Sequence, residues 1–177
     1  MKKRKRSDES GLVACATMTF TSPVGPITLA ATPKGICRVL LRGSRPFEPP
    51  AGTVPAADAP PALRKALLRM RDQLGRYLAG ERVTFDVPLD LSAGTPFERR
   101  VWRACGRIPY GEVRSYGQLA AMARCPRGAR AVGGAMGANG LPLVVPCHRV
   151  VRSDGSLGGY GLGLPLKKRL LRQEGAL

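Results

Sequence analysis

Three short β-forming runs, residues 17–21, 27–31 and 36–41, are separated only by Pro23-Val24-Gly25-Pro26 and Pro33-Lys34-Gly35. Connections that short leave no room for a crossover, so the strands must turn straight back on one another as an antiparallel meander. Residues 43–61 are rich in Pro, Ala and Gly and read as a loop. The period then changes: Leu63, Leu67, Leu74 and Leu78 recur at helical spacing over residues 61–80, with Gly80 as terminator. Residues 83–87 have the character of one more strand.

From about residue 88 the texture becomes one of short, punctuated helices. Thr95-Pro96-Phe97-Glu98 combines a capping Thr, Pro at the first helical position and Glu at the third, which predicts a helix with Phe97, Val101 and Cys105 on one face. Ser115-Tyr116-Gly117-Gln118 repeats the device with Gln and opens a helix through Leu119 and Met122. Pro126 opens a third, through Arg130 to Met136. Two short helices joined by the turn at Cys125 and Pro126 predict a helix-turn-helix. A strand is expected in the apolar run 141–151, then a turn at Ser153-Asp154-Gly155 and a glycine-rich loop at 158–163. A last helix starts at Pro165 and carries Leu166, Leu170 and Leu171, with Gly175 as its cap. The expected class is α+β: a disordered basic tail at 1–10, an α/β unit at 11–88, and a helical unit at 89–177.

The chain carries 29 Lys and Arg against 12 Asp and Glu, a net charge of +17. That excess favours a polyanionic partner, since each neutralised phosphate releases counterions. A solvated basic surface or a membrane-surface contact is the alternative, but no apolar run is long enough to span a bilayer, and no signal-type segment follows the basic N-terminus. Cys15, Cys37, Cys105, Cys125 and Cys147 are irregularly spaced without a Cys-x-x-Cys pair, so they read as free thiols of a reducing compartment rather than a zinc set. Gly133 and Gly134 cost the third helix about 2 kcal/mol against Ala. Either tight helix packing or close approach to a nucleic-acid backbone offsets that cost.

The single histidine, His148, follows Cys147 directly. A thiol is mostly protonated at neutral pH, and an imidazole that accepts its proton raises the reactive thiolate fraction. Adjacent residues of a regular strand point to opposite faces. The pair therefore requires either a turn at Pro146 or a bridging water. The imidazole also needs an orienting carboxylate, and Glu98, Glu112, Asp154 and Glu174 all remain available by spacing. The bland alternative is a buried thiol beside a satisfied core histidine.

These residues resemble a known family. Ile108-Pro109-Tyr110-Gly111-Glu112-Val113, Ser115-Tyr116-Gly117-Gln118-Leu119-Ala120, the run from Arg130 to Met136, Asn139, Pro146-Cys147-His148-Arg149-Val150, Gly158-Gly159-Tyr160 and Glu174-Gly175 are similar to the O6-alkylguanine-DNA alkyltransferases across residues 95–175. The first half resembles that family's ribonuclease-H-like domain in general plan only. The resemblance implies a winged-helix-like DNA-binding unit with an active-site loop, and suicide repair of double-stranded DNA carrying O6-alkylguanine, with O4-alkylthymine left open. It implies base flipping, with Cys147 as acceptor, His148 held by Glu174 and drawing the thiol proton through a water, Tyr116 donating to the departing base, and Asn139 holding helix and active-site segment in register. Carbonyls of Cys147 and Val150 would accept from the exocyclic amine and the Gly161 amide would donate to O6, in a pocket completed by Tyr160 and Pro142. The recognition helix, near 129–137, would enter the minor groove with Ala129, Ala131, Gly133, Gly134 and Met136, inserting Arg130 for the flipped base, while Ser115 and Arg149 would also meet DNA.

By the same resemblance no cofactor or metal is expected, and the protein would act as a monomer, with no membrane, in the cytoplasm near the nucleoid, or in a nucleus. Some members carry zinc in the first half; this chain has no histidine there. Leu162 and Gly137 stand where other members have Gly and Arg, which implies a narrower pocket and one phosphate contact fewer. Two other classes compete. A Cys-His hydrolase would need an oxyanion hole and would turn over, and a helix-turn-helix regulator leaves Pro146 to Arg149 and Tyr116 unexplained.

Overall fold

The computed structural model describes residues 14–177; the basic tail expected at 1–10 lies outside them. The meander forms as β1 (Ala16–Ser22), β2 (Gly25–Thr32) and β3 (Gly35–Leu40). Ser22 faces Gly25 across the first turn, and Thr32 faces Gly35 across the second. Helix α1 (Pro61–Leu78) lays Leu63, Leu67, Met70, Leu74, Tyr77 and Leu78 on one face of this sheet. Ile27, Leu29, Ala31 and Val39 belong to the same core cluster.

Two details of this half depart from the sequence expectations. A short strand, β4 (Val54–Pro55), pairs parallel with β1 inside the segment read as loop, giving the order β3-β2-β1-β4. Two residues are too few to show a period. The strand expected at 83–87 is absent. The chain instead meets β3 slightly later, where Ile36 N donates to Pro88 O and Asp90 N donates to Ile36 O, both at 2.8 Å. Gly35 permits that approach: its φ is +137°, and a Cβ there would lie 2.2 Å from the Pro88 oxygen.

The second half contains α2 (Pro96–Cys105), β5 (Arg114–Ser115), α3 (Tyr116–Met122), α4 (Ala129–Gly137), β6 (Val150–Val151) and α5 (Leu164–Gln173). Both capping boxes form, Thr95 with Glu98 and Ser115 with Gln118. The third helix starts at Ala129 rather than Pro126, because Gly128 N turns back to Cys125 O at 2.8 Å and closes a tight turn first. Trp102 Nε1 donates to Ala135 O at 2.8 Å and ties α2 to the helix-turn-helix.

The apolar run 141–151 is not the strand expected. Pro142 and Pro146 have no N–H to give a ladder, Leu143 sits at φ +72°, and Val145 N folds back to Leu141 O at 2.8 Å. Cys147–Arg149 is a single 3-10 turn, and the one strand in the run, Val150–Val151, pairs parallel with Arg114–Ser115. The two halves share one apolar cluster. They are bonded directly by Val39 N to Gly140 O at 2.9 Å and by Gln173 Nε2 to Tyr77 O at 2.6 Å. Among the described residues no helix is long and apolar enough to cross a membrane.

Candidate active site

Cys147 opens onto a cavity of about 430 Å³. Its walls include Asn139, Pro142, Tyr160, Gly161 and Leu162 from the second half, and Arg38 and Arg45 from the first. Asn139 pins the turn beneath the thiol. Its Nδ2 donates to Val145 O at 3.1 Å and to Cys147 Sγ at 3.3 Å, while its Oδ1 accepts from Leu141 N at 3.0 Å. Burial pushes the Cys147 thiol above its ordinary range; donation from Asn139 and the positive charge of Lys167 act the other way. A resting thiol of this kind needs a base to become a nucleophile.

His148, on the same turn, is fully buried. Its Nε2 donates to Glu174 Oε1 at 2.9 Å, and Nδ1 makes no hydrogen bond to any described residue. Glu174 follows α5 and accepts further from Tyr77 Oη at 2.5 Å, Arg149 Nε at 2.8 Å and Arg149 Nη2 at 2.9 Å. Burial alone would raise this carboxyl, but the donors outweigh it and hold it at about 2. Burial also lowers the His148 imidazole, with Glu174 opposing. Of the four carboxylates available by spacing, the structure thus sets Glu174 on the imidazole. Glu98 closes its capping box, Glu112 pairs with Arg114, and Asp154 accepts from Ser156 N.

Several residues assigned to DNA or pocket stand elsewhere. Arg149 does not reach the surface: it is 8% exposed, clamped on Glu174, with Nη1 donating to Ile108 O at 2.7 Å. Met136 is buried too, because it lies on the face of α4 that packs inward with Val132 and Ala135, where it lines the Cys147 cavity instead of the outer face. Val150 is fully buried and does not line the cavity; its carbonyl accepts from Lys167 Nζ at 2.5 Å. Ser115 stays partly exposed; its oxygen accepts from Gln118 N at 3.1 Å, which leaves the O–H free to donate. Tyr116 is not among the cavity-lining residues. Its ring lies between α4 and the glycine loop, 3.9 Å from a Cβ built on Gly133 and 3.4 Å from one built on Gly158.

The outer face of α4 carries Arg130, Ala131, Gly134 and Gly137, all exposed, with Ala129 and Gly133 partly covered. A Cβ on Gly134 would meet nothing within 4 Å. Packing inside the protein therefore does not account for that glycine, and the face is open for a close partner. Tyr77 and Lys167 were not anticipated. Tyr77 belongs to the apolar stripe of α1. Lys167, fully buried, bonds the carbonyls of Val150, Leu157 and Gly159, so that one ammonium ties the glycine loop to β6. Burial brings Lys167 down to about 8.

A cysteine at the floor of a cavity, an imidazole–carboxylate pair behind it and a bare helix-turn-helix face beside it define a DNA-facing protein that presents a thiol nucleophile. Comparison with known proteins gives the same class. The family described as 6-O-methylguanine DNA methyltransferase, DNA binding domain, matches residues 96–176, and the ribonuclease-like domain of the same family matches residues 15–91. A methylated-DNA–protein-cysteine methyltransferase of Mycobacterium tuberculosis is 46% identical over 156 residues, 88% of this chain and 90% of that one. One from Methanosarcina acetivorans is 41% identical over 158 residues, covering 89% and 96%. The crystal structure of Mycobacterium tuberculosis OGT in complex with DNA superposes with a TM-score of 0.77 at 41% identity, covering 91% of this chain and 93% of that one. The chain belongs to the methylated-DNA–protein-cysteine methyltransferase family.

Proposed function

We infer that this protein repairs DNA by direct reversal, moving the alkyl group from O6 of guanine onto Cys147. The thiolate sulfur attacks the alkyl carbon, a carbon–sulfur bond forms, and the carbon–O6 bond breaks with its electron pair staying on the base. The thiol proton leaves through a water to His148 Nδ1, the ring nitrogen with no partner among the described residues, and Glu174 stabilises the imidazolium that results. Tyr116, held between α4 and the glycine loop rather than in the cavity wall, donates to the base once the flipped nucleotide lies against it, as charge develops there. The observation that carries this reading is Cys147 at the cavity floor, with Asn139 on its sulfur and, on the same 3-10 turn, His148 bonded to Glu174 from the end of α5.

The lesion reaches the cavity by flipping, with the small-residue face of α4 in the minor groove and Arg130 filling the vacated stack. The Gly161 amide and the Cys147 carbonyl then read the base, while the Val150 carbonyl, buried away from the cavity and accepting from Lys167, serves the glycine loop instead. Phosphate contacts dominate binding, as suits a protein of charge +17 that surveys every sequence. The thioether is stable, so each molecule acts once, without a cofactor, in whichever compartment holds the DNA. Cys147→Ala is expected to bind a lesion-bearing duplex as the parent does and to accept no alkyl group. Transfer persisting in that variant would end this reading.

A further inference from the structure

We propose that Tyr77, carried by the N-terminal half, is a positioning residue of the transfer reaction: its hydroxyl fixes the tautomer and ring orientation of His148. The inference rests on the alkyl-transfer reading above. Tyr77 ends α1, far in sequence from the Cys147 turn, yet its hydroxyl donates to Glu174 Oε1 at 2.5 Å and lies 3.2 Å from His148 Nε2. A phenol has one proton. With that proton committed to the carboxylate, only oxygen lone pairs face the imidazole. Nε2 therefore confronts two acceptors, Glu174 Oε1 at 2.9 Å and Tyr77 Oη at 3.2 Å, and must carry the ring proton. Nδ1 is left as the basic nitrogen, the state a proton acceptor for Cys147 requires.

The hydroxyl is held as firmly as the groups it orients. The Tyr77 ring meets Phe85 and Tyr110 edge-on, with centroids 5.7 and 6.4 Å apart. Gln173 Nε2 donates to the Tyr77 carbonyl and locks the end of α1 onto α5. Burial and the neighbouring Glu174 push the phenol well above its ordinary range, so it keeps its proton wherever the protein is folded. The ionisable groups around His148 are Glu174 beyond α5, Lys167 on α5, Tyr77 on α1, Tyr110 before β5, and its chain neighbours Cys147 and Arg149. Of these, Tyr77 and Glu174 hydrogen-bond the ring.

Tyr77→Phe keeps the ring packing and removes this acceptor. It also removes a donor from Glu174, which becomes a stronger base and holds the imidazolium to higher pH. The acidic limb of the transfer rate is expected to move up by roughly half a pH unit, which lowers the rate by up to about threefold on that limb. Phe85→Leu is the control, since it loosens the same ring cluster and leaves the hydroxyl. A merely structural role predicts lower melting for both variants and superimposable pH profiles, a result that overturns the proposal.

The chain has one histidine, so histidine-selective 15N labelling of tag-free protein gives a single pair of ring resonances. They are expected to report the Nε2–H tautomer in the parent and a shifted or mixed population in Tyr77→Phe. The Nδ1–H tautomer in the parent refutes the inference even where the variant fails to fold. A parent that shows Nε2–H but accepts nothing from O6-methylguanine DNA refutes the transfer reading instead.

Discussion

Arg149→Leu separates a structural cation from a DNA contact. In the folded chain Arg149 gives Glu174 two hydrogen bonds, at 2.8 and 2.9 Å, inside a buried site. Deleting one partner of a buried ion pair costs about 3–5 kcal/mol, because the other charge is left behind. The carboxyl sets a ceiling of the same order: titrating at about 2 when folded and near 4.5 otherwise, it contributes about 3 kcal/mol at neutral pH, a sum that Arg149 shares with His148 and Tyr77. Its folded pKa is depressed, so that contribution is complete above pH 4.5 and fades as pH falls toward 2. Urea unfolding at pH 7 should therefore show a loss of about 3 kcal/mol and a melting point lower by about 6–12 °C, and the gap between variant and parent should narrow steadily below pH 4.5. The salt slope of DNA binding should not change, whereas losing a phosphate contact lowers it by about one. A variant of parental stability whose salt slope drops would place Arg149 at the DNA and refute the buried clamp.

Other substitutions test the remaining elements. Gly134→Ala should raise stability by up to about 1 kcal/mol, since a Cβ there meets nothing, while Gly134→Leu should fold normally and bind duplex DNA at least tenfold more weakly; unchanged binding by the Leu variant would remove α4 from the groove. Arg130→Ala should slow transfer from duplex DNA much more than reaction with the free alkylated base, and equal losses in both assays would exclude a flipping role. Asn139→Ala should slow both alkyl transfer and iodoacetamide labelling of Cys147, as the thiol loses the donor at 3.3 Å that favours its ionised form; unaltered labelling would show that Asn139 acts only on the turn.

Legibility followed the range of the interaction. The meander, α1 and the two capping boxes were readable because strand and helix periods, turn residues and caps are local, and each of these appears within a few residues of its expected place. The run 141–151 misled because apolar composition does not separate a strand from a buried turn; Pro142 and Pro146 were the visible warning, and the φ of Leu143 was not visible at all. At the site, Cys147 and His148 were legible as neighbours in an unusual pair. The choice of Glu174 came only from family resemblance, since the contact spans 26 residues of sequence. Arg149 looked like a surface cation because nothing in its neighbourhood announced the buried carboxylate that claims it. Tyr77 hid in an apolar stripe, and Lys167 looked like one more solvated lysine of α5.

Intact-mass analysis after mixing the protein with a duplex containing one O6-methylguanine, followed by peptide mapping, tests the transfer reaction most directly. One methyl per molecule is expected, on the peptide that contains Cys147, with no further gain under excess lesion. An unmodified mass with the lesion still bound, or a methyl on any other cysteine, would contradict Cys147 as the acceptor.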